Sequence, residues 1–133
     1  MIGDDTLCPC MNALSYKQCC KPFHVNASKP NTAEQLMRSR YSAYYLGLID
    51  YLVMTTHPDT LRSDYRNQLQ NTKNDTQWIG LEIIQSSMGR ANDKIGKVRF
   101  KAQYIENGQE KHMEEHSRFR RYQGNWVYYD DKG

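Results

Sequence analysis

Every cysteine of the chain lies between residues 8 and 20, in the stretch CPCMNALSYKQCC. Four thiols gathered at one end constrain the fold more than any other feature, because something has to draw them together. The spacing is Cys8-x-Cys10, eight intervening residues, then Cys19-Cys20. Eight residues suffice to fold the chain back on itself, and four thiolates complete a tetrahedral shell with sulfur about 2.3 Å from a zinc ion. Adjacent side chains such as Cys19 and Cys20 normally diverge, so a tight backbone curl must turn both toward one ion. Two disulfides are the rival reading. They require an oxidising compartment, and bridging Cys8 to Cys10 or Cys19 to Cys20 strains disulfide geometry. Zinc is therefore the expected occupant, one ion in a structural site whose four protein ligands leave no position for water. His24, Lys17 and Lys21 flank the cluster and are expected to be solvated.

The compartment argument comes from the rest of the chain. The opening residues MIGDDTLCPC have no apolar h-region, and no apolar run approaches the ~20 residues of a membrane helix. A cytoplasmic setting, with reduced thiols, is expected. A net charge of +3 is too small to establish nucleic-acid binding by itself.

The cysteine stretch resembles the SEC-C motif, the small zinc module at the carboxyl end of the SecA translocation motor, with all four ligand positions matched. Relatives of that motif often read CPCGSG, whereas this chain has Met11, Asn12 and Ala13. The resemblance implies a metal-stabilised knuckle used for docking to other macromolecules.

The remaining sequence divides into a zinc module over residues 1–24, a linker over 25–31 and a main domain over 32–133. Thr32-Ala-Glu-Gln35, or Asn31 to Glu34 one register earlier, forms a capping box that opens a helix. Its stripe collects Leu36, Met37, Arg40, Tyr41, Tyr44 and Leu48, and Gly47 ends or bends it. A shorter helix in LIDYLVMTT runs to His57-Pro58, and Leu61, Tyr65 and Leu69 suggest a third in TLRSDYRNQLQ. From Trp78 the rhythm changes to period two, giving four strands: WIGLEIIQSS, KVRFKAQYIE, QEKHMEEHSRFRRY and NWVYYD. Asn107-Gly108 signals a type I′ hairpin. Helices followed by a run of strands imply an α+β fold with an antiparallel sheet covered on one face.

Two residues break this pattern. Arg40 sits in the apolar stripe of its helix, and the hairpin register places Glu115 and Ser117 in the apolar phase of their strand. That register pairs Ala102 with Met113, Phe100 with Glu115 and Val98 with Ser117. A buried carboxylate is costly unless something pairs with it. Arg40 and Glu115 are therefore expected to approach each other inside the domain, with Tyr41 or Tyr44 nearby. A structural ion pair is one outcome. The other is a polar floor to a ligand pocket walled by Trp78 and Trp126, with Glu115 or His57 as general acid or base. The opposite sheet face carries Lys97, Arg99 and Lys101 beside His116, Arg118 and Arg120, interrupted by Glu114. Such a strip is usually solvated surface. Its alternative is contact with RNA phosphates, although no RNA-recognition signature and no interleaved aromatic accompany it.

TAEQLMRSRYSAYYLGLIDYLVMTTHP and EHSRFRRYQGNWVYYDDKG resemble the YchJ family of small bacterial proteins, through Arg38-Ser-Arg-Tyr41, Thr56-His57-Pro58 and Ser117-Arg118-Phe119. The resemblance implies an NTF2-like cone of about three helices on a curved antiparallel sheet, preceded by the zinc knuckle. It brings no assigned reaction, so a non-catalytic adaptor is the leading expectation. Its protein partner would be a translocation, chaperone or ribosomal component, and a homodimer is a further arrangement. This role predicts that zinc removal abolishes docking while leaving the cone folded. A small-molecule carrier or an isomerase- or dehydratase-like enzyme using the NTF2-like pocket is the alternative, and RNA or ribosome binding the second alternative.

Overall fold

The computed structural model describes residues 2–133. A single turn of 3₁₀-helix at Tyr16–Gln18 and a short helix α1 (Lys21–His24) belong to the cysteine region. Helices α2 (Ala33–Leu46), α3 (Ile49–Met54) and α4 (Tyr65–Thr72) come next. Strands β1 (Thr76–Met88), β2 (Ile95–Glu106), β3 (Gln109–Tyr122) and β4 (Asn125–Asp130) follow and form one antiparallel sheet in chain order. The α+β architecture read from the sequence is the one observed.

The ends of α2 show how local signals set its limits. Thr32 Oγ1 accepts from the Gln35 amide at 3.1 Å, and Gln35 Oε1 accepts from the Asn31 amide at 2.7 Å. Both orphan donors are thereby satisfied, with the return bond falling one residue before the cap. At the other end Gly47 adopts φ +73°, a left-handed conformation that glycine reaches without strain. Helix α4 begins later than its apolar spacing suggested. The His57 carbonyl accepts from the Thr60 and Leu61 amides, so the segment after Pro58 closes as a turn and leaves Leu61 exposed.

The hairpin between β2 and β3 follows the expected register, with Ala102 opposite Met113, Phe100 opposite Glu115 and Val98 opposite Ser117. Asn107 and Gly108 have φ of +53° and +75°, as a type I′ turn requires. Strand β1 shifts register between Trp78 and Gly80 and again between Ile83 and Gln85. Such irregularities bend a strand and increase its twist.

Helix α2 packs across the sheet. Leu36, Met37 and Tyr41 meet Val98, Phe100, Ala102, Phe119 and Trp126 in one apolar cluster that also contains Cys8, Cys10 and Cys20. A second cluster joins the helices through Ala43, Tyr51, Leu52 and Leu69. No helix of the described residues is long and apolar enough to cross a membrane.

Candidate metal centre and cavity

The four cysteine sulfurs all lie within 4.8 Å of one another. Cys10 and Cys19 are 3.5 Å apart and Cys19 and Cys20 3.9 Å apart. A sulfur tetrahedron with bonds of about 2.3 Å has edges of about 3.8 Å, so the donor set fits one zinc-sized ion. All four thiols are free, and their separations far exceed the ~2.05 Å of a disulfide. Ionisation explains why a cation suits this spacing. Hydrogen bonds from Cys10 and Cys20 draw the Cys8 thiol far below the usual thiol range. Hydrogen bonding to Cys10 and Cys8 pushes Cys20 far above it. One thiolate is favoured and the next opposed, a conflict that a divalent cation removes by neutralising the charge.

The curl that brings Cys19 and Cys20 round is local. Ser15 Oγ accepts from the Gln18 amide to cap the 3₁₀ turn, and the Cys8 amide donates to the Leu14 carbonyl at 2.8 Å. Met11 and Ala13 hold φ of +66° and +61°. These are places where SEC-C sequences often carry glycine, so the turn is kept here by L-residues in a left-handed conformation.

One face of α2 receives the knuckle. The Ser42 hydroxyl, fully buried, lies 3.5 Å from Cys8 Sγ and donates to Cys20 Sγ at 3.4 Å. Arg38 donates to the Cys10 carbonyl at 2.8 Å. His24 corrects the expectation of a solvated flank. Its Nε2 donates to the Ser39 carbonyl at 2.8 Å, which leaves Nδ1 to accept from the Tyr16 hydroxyl at 2.6 Å. Burial accordingly lowers its pKa. Lys21 does stay near solvent, paired with Asp4 at 2.6 Å, and Lys17 is exposed.

The other face of α2 lines a cavity of about 390 Å³. Of the residues assigned to a pocket from the sequence, Arg40, Tyr41, Tyr44, Trp78, Glu115 and Ser117 line it. Arg40 and Glu115, however, are not an ion pair. Arg40 Nη1 donates to the Leu52 carbonyl, Thr55 Oγ1 and Thr56 Oγ1 at 3.0, 2.7 and 3.2 Å, and Nη2 to the Tyr65 hydroxyl at 3.2 Å. Both threonine hydroxyls spend their own protons on carbonyls of α3, so their lone pairs face the guanidinium. The Tyr128 ring lies over that guanidinium, and its hydroxyl donates to Glu115 Oε2 at 3.2 Å. Ser117 also donates to Oε2. Burial, then the nearby Glu115 charge, keeps the Tyr128 phenol protonated well above its ordinary range.

Two residues expected at the pocket, Trp126 as a wall and His57 as a general acid or base, lie elsewhere. Trp126 is in the core, donating through Nε1 to the Asn31 carbonyl at 3.2 Å beneath Arg121. It is Tyr128, two residues along β4, that reaches the cavity. His57 caps a corner, its amide donating to the Tyr128 carbonyl and its ring packed on Tyr122 and Tyr129. Tyr65, Tyr128 and Thr56 were missed. Tyr65 has the four-residue spacing of a core stripe, and Tyr128 shares its phase with Trp126.

On the basic face Lys97 pairs with Arg118, Arg99 with His116 and Lys101 with Glu114. Arg118 is engaged by Asp130 at 2.6 Å, and that bond pulls the Asp130 carboxyl down to about 2. Tyr129 stands under Arg120, 3.7 Å from guanidinium to ring centre. An aromatic therefore does accompany these cations, supplied by β4.

The family model for YchJ, middle NTF2-like domain, matches residues 32–131. The chain belongs to the YchJ family. It is 43% identical over 125 residues to a UPF0225 protein of Actinobacillus succinogenes, covering 93% of this chain and 80% of that one. A UPF0225 protein of Vibrio parahaemolyticus is 41% identical over 123 residues, with coverage of 92% and 72%. Among solved structures, a SEC-C motif containing protein from Rhodopseudomonas palustris superposes with a TM-score of 0.81 at 29% identity, covering 92% of this chain and 94% of that one. Another, from Psychrobacter arcticus, gives 0.79 at 27% identity, with coverage of 99% and 85%. Together with the sulfur cluster, these likenesses support a metal-binding site compatible with zinc.

Proposed function

We propose that the protein is a cytoplasmic zinc-binding adaptor whose knuckle docks to a protein partner. Residues 1–24 form the zinc module in this reading, 25–31 the connector and 32–133 the cone. The observation that carries it is the apolar surface of the knuckle: Leu7, Met11 and Leu14 are 68%, 56% and 43% exposed around a buried sulfur cluster. Exposed apolar side chains that gather into one patch are a docking signal. Met11 strengthens the point, because its left-handed backbone is strained and its exposed side chain gains little from the fold in return. By the SEC-C likeness, the partner is a translocation, chaperone or ribosomal component. Elemental analysis of the reduced protein should find one zinc per chain. Capture of the partner should be lost on chelation and in Met11→Ser with Leu14→Ser, and capture insensitive to both overturns the proposal.

A second reading makes the cone a small-molecule carrier or enzyme. It is favoured by the cavity, where a buried guanidinium and a carboxylate share one wall without forming an ion pair. A thermal-shift ligand screen tests it. RNA binding draws less support, because Arg118 is committed to Asp130 and Lys101 stands between Glu82 and Glu114.

A further inference from the structure

We propose that the cavity takes a flat, largely apolar molecule that bears both an acceptor oxygen and a hydroxyl donor, of the hydroxyaryl ketone class. This rests on the second reading above, that the cone holds a small molecule. It goes further by deriving the ligand's chemistry from the protons of the wall.

The acceptor end follows from a count at two phenols. Tyr44 and Tyr65 share a hydrogen bond of 2.6 Å between their hydroxyls, and Arg40 donates to the Tyr65 oxygen. If Tyr65 donates to Tyr44, the Tyr44 proton has no partner in the pair. If Tyr44 donates to Tyr65, the Tyr65 proton is the one left over. In either arrangement one phenol proton has no acceptor among the described residues, and the Arg40 charge beside the pair makes it a stronger donor. A carbonyl oxygen is a neutral group that accepts such a proton well.

The donor end follows from Glu115. Among the described residues its two donors, Ser117 and Tyr128, both end on Oε2, which leaves Oε1 to accept. A phenol or alcohol of the ligand fits that position. The lining also carries the apolar side chains of Met37, Trp78, Phe100 and Met113, together with Tyr41, whose buried hydroxyl has no partner among the described residues. Trp78 is braced by Tyr44 and Tyr104 at ring-centre distances of 5.8 and 5.3 Å. A braced indole offers a firm flat surface to an aromatic ring, and about 390 Å³ accommodates one or two rings.

The test is an NMR titration of the zinc-loaded full chain with three probes. Para-hydroxyacetophenone carries both groups, para-methoxyacetophenone lacks the donor, and para-ethylphenol lacks the carbonyl. The first should bind about tenfold more tightly than either of the others. Glu115→Gln should weaken para-hydroxyacetophenone about tenfold while leaving para-methoxyacetophenone unchanged. Replacing Tyr44 or Tyr65 alone by Phe leaves one donor of the pair in place, so the double replacement should reduce the advantage of the carbonyl far more than either single one. Equal binding of all three probes overturns the assigned chemistry and leaves the cavity a ligand site. Binding of none overturns both. The probe series is run on the unaltered protein, so a variant that fails to fold does not decide the question.

Discussion

The guanidinium of Arg40 lies 4.7 Å from the ring centre of Tyr128, on the residue that donates its hydroxyl to Glu115. The two charges of the cavity wall are thus separated by an aromatic ring, each hydrogen-bonded to a different set of neutral groups. Arg40 depends on the end of α3 and on Tyr65 at the start of α4, and Glu115 on β3 and β4.

That separation predicts unequal consequences. Arg40→Lys cannot reproduce a fork that serves three acceptors through Nη1 and Tyr65 through Nη2. It should lower stability by about 3 kcal/mol, the cost of losing charged hydrogen bonds in a buried site. Glu115→Gln, with no ion pair to break, should cost about 1 kcal/mol. Denaturant unfolding of both variants measures this, and a larger loss for Glu115→Gln would point to a direct pair.

Left-handed backbone at Met11 and Ala13 gives a stabilising prediction. Ala13→Gly removes the steric conflict between Cβ and the following carbonyl and should raise stability by about 1 kcal/mol. Met11→Gly should stabilise similarly while weakening docking if the side chain contacts a partner. The measurement is thermal unfolding of the zinc-loaded variants, and lower melting temperatures would contradict it.

Metal loss should reach the cone. Cys8, Cys10 and Cys20 share an apolar cluster with α2 and the sheet, so chelation should lower the melting temperature of the whole chain and not merely free the knuckle. This departs from the independence expected from the sequence. Ser42→Ala removes the hydroxyl that contacts two of the sulfurs and should weaken zinc binding about tenfold. Competition with a chromophoric chelator reads the affinity, and no change would deny Ser42 a part in the site.

Acidification should act through His24. Burial lowers its pKa in the folded chain relative to about 6.5 when unfolded. The unfolded chain therefore binds the proton first, and the stabilising contribution, complete above about pH 6.5, is lost as pH falls toward the folded value. Protonation also ends acceptance from Tyr16. His24→Gln should show a flatter decline of stability over this window than the unaltered protein, with metal content measured at each pH to separate thiolate protonation. Parallel declines would rule the histidine out.

What could be read from the chain alone was what neighbours in sequence decide. Asn107 and Gly108 set the hairpin, and the hairpin set the register that put Glu115 and Ser117 on the inner face. Thr32 and Gly47 bounded α2, and the cysteine spacing marked the candidate metal site. Tertiary structure alone decided which in-phase side chain reaches the cavity, Tyr128 and not Trp126. It also brought His24 to Ser39, Ser42 to the sulfurs and Tyr65 to Arg40. Periodicity assigns a side chain to a face but not to a partner, because partners are chosen by how far each strand is offset and bent when the elements pack. A turn is closed by the residues that form it, whereas a cavity wall is assembled from segments dozens of residues apart.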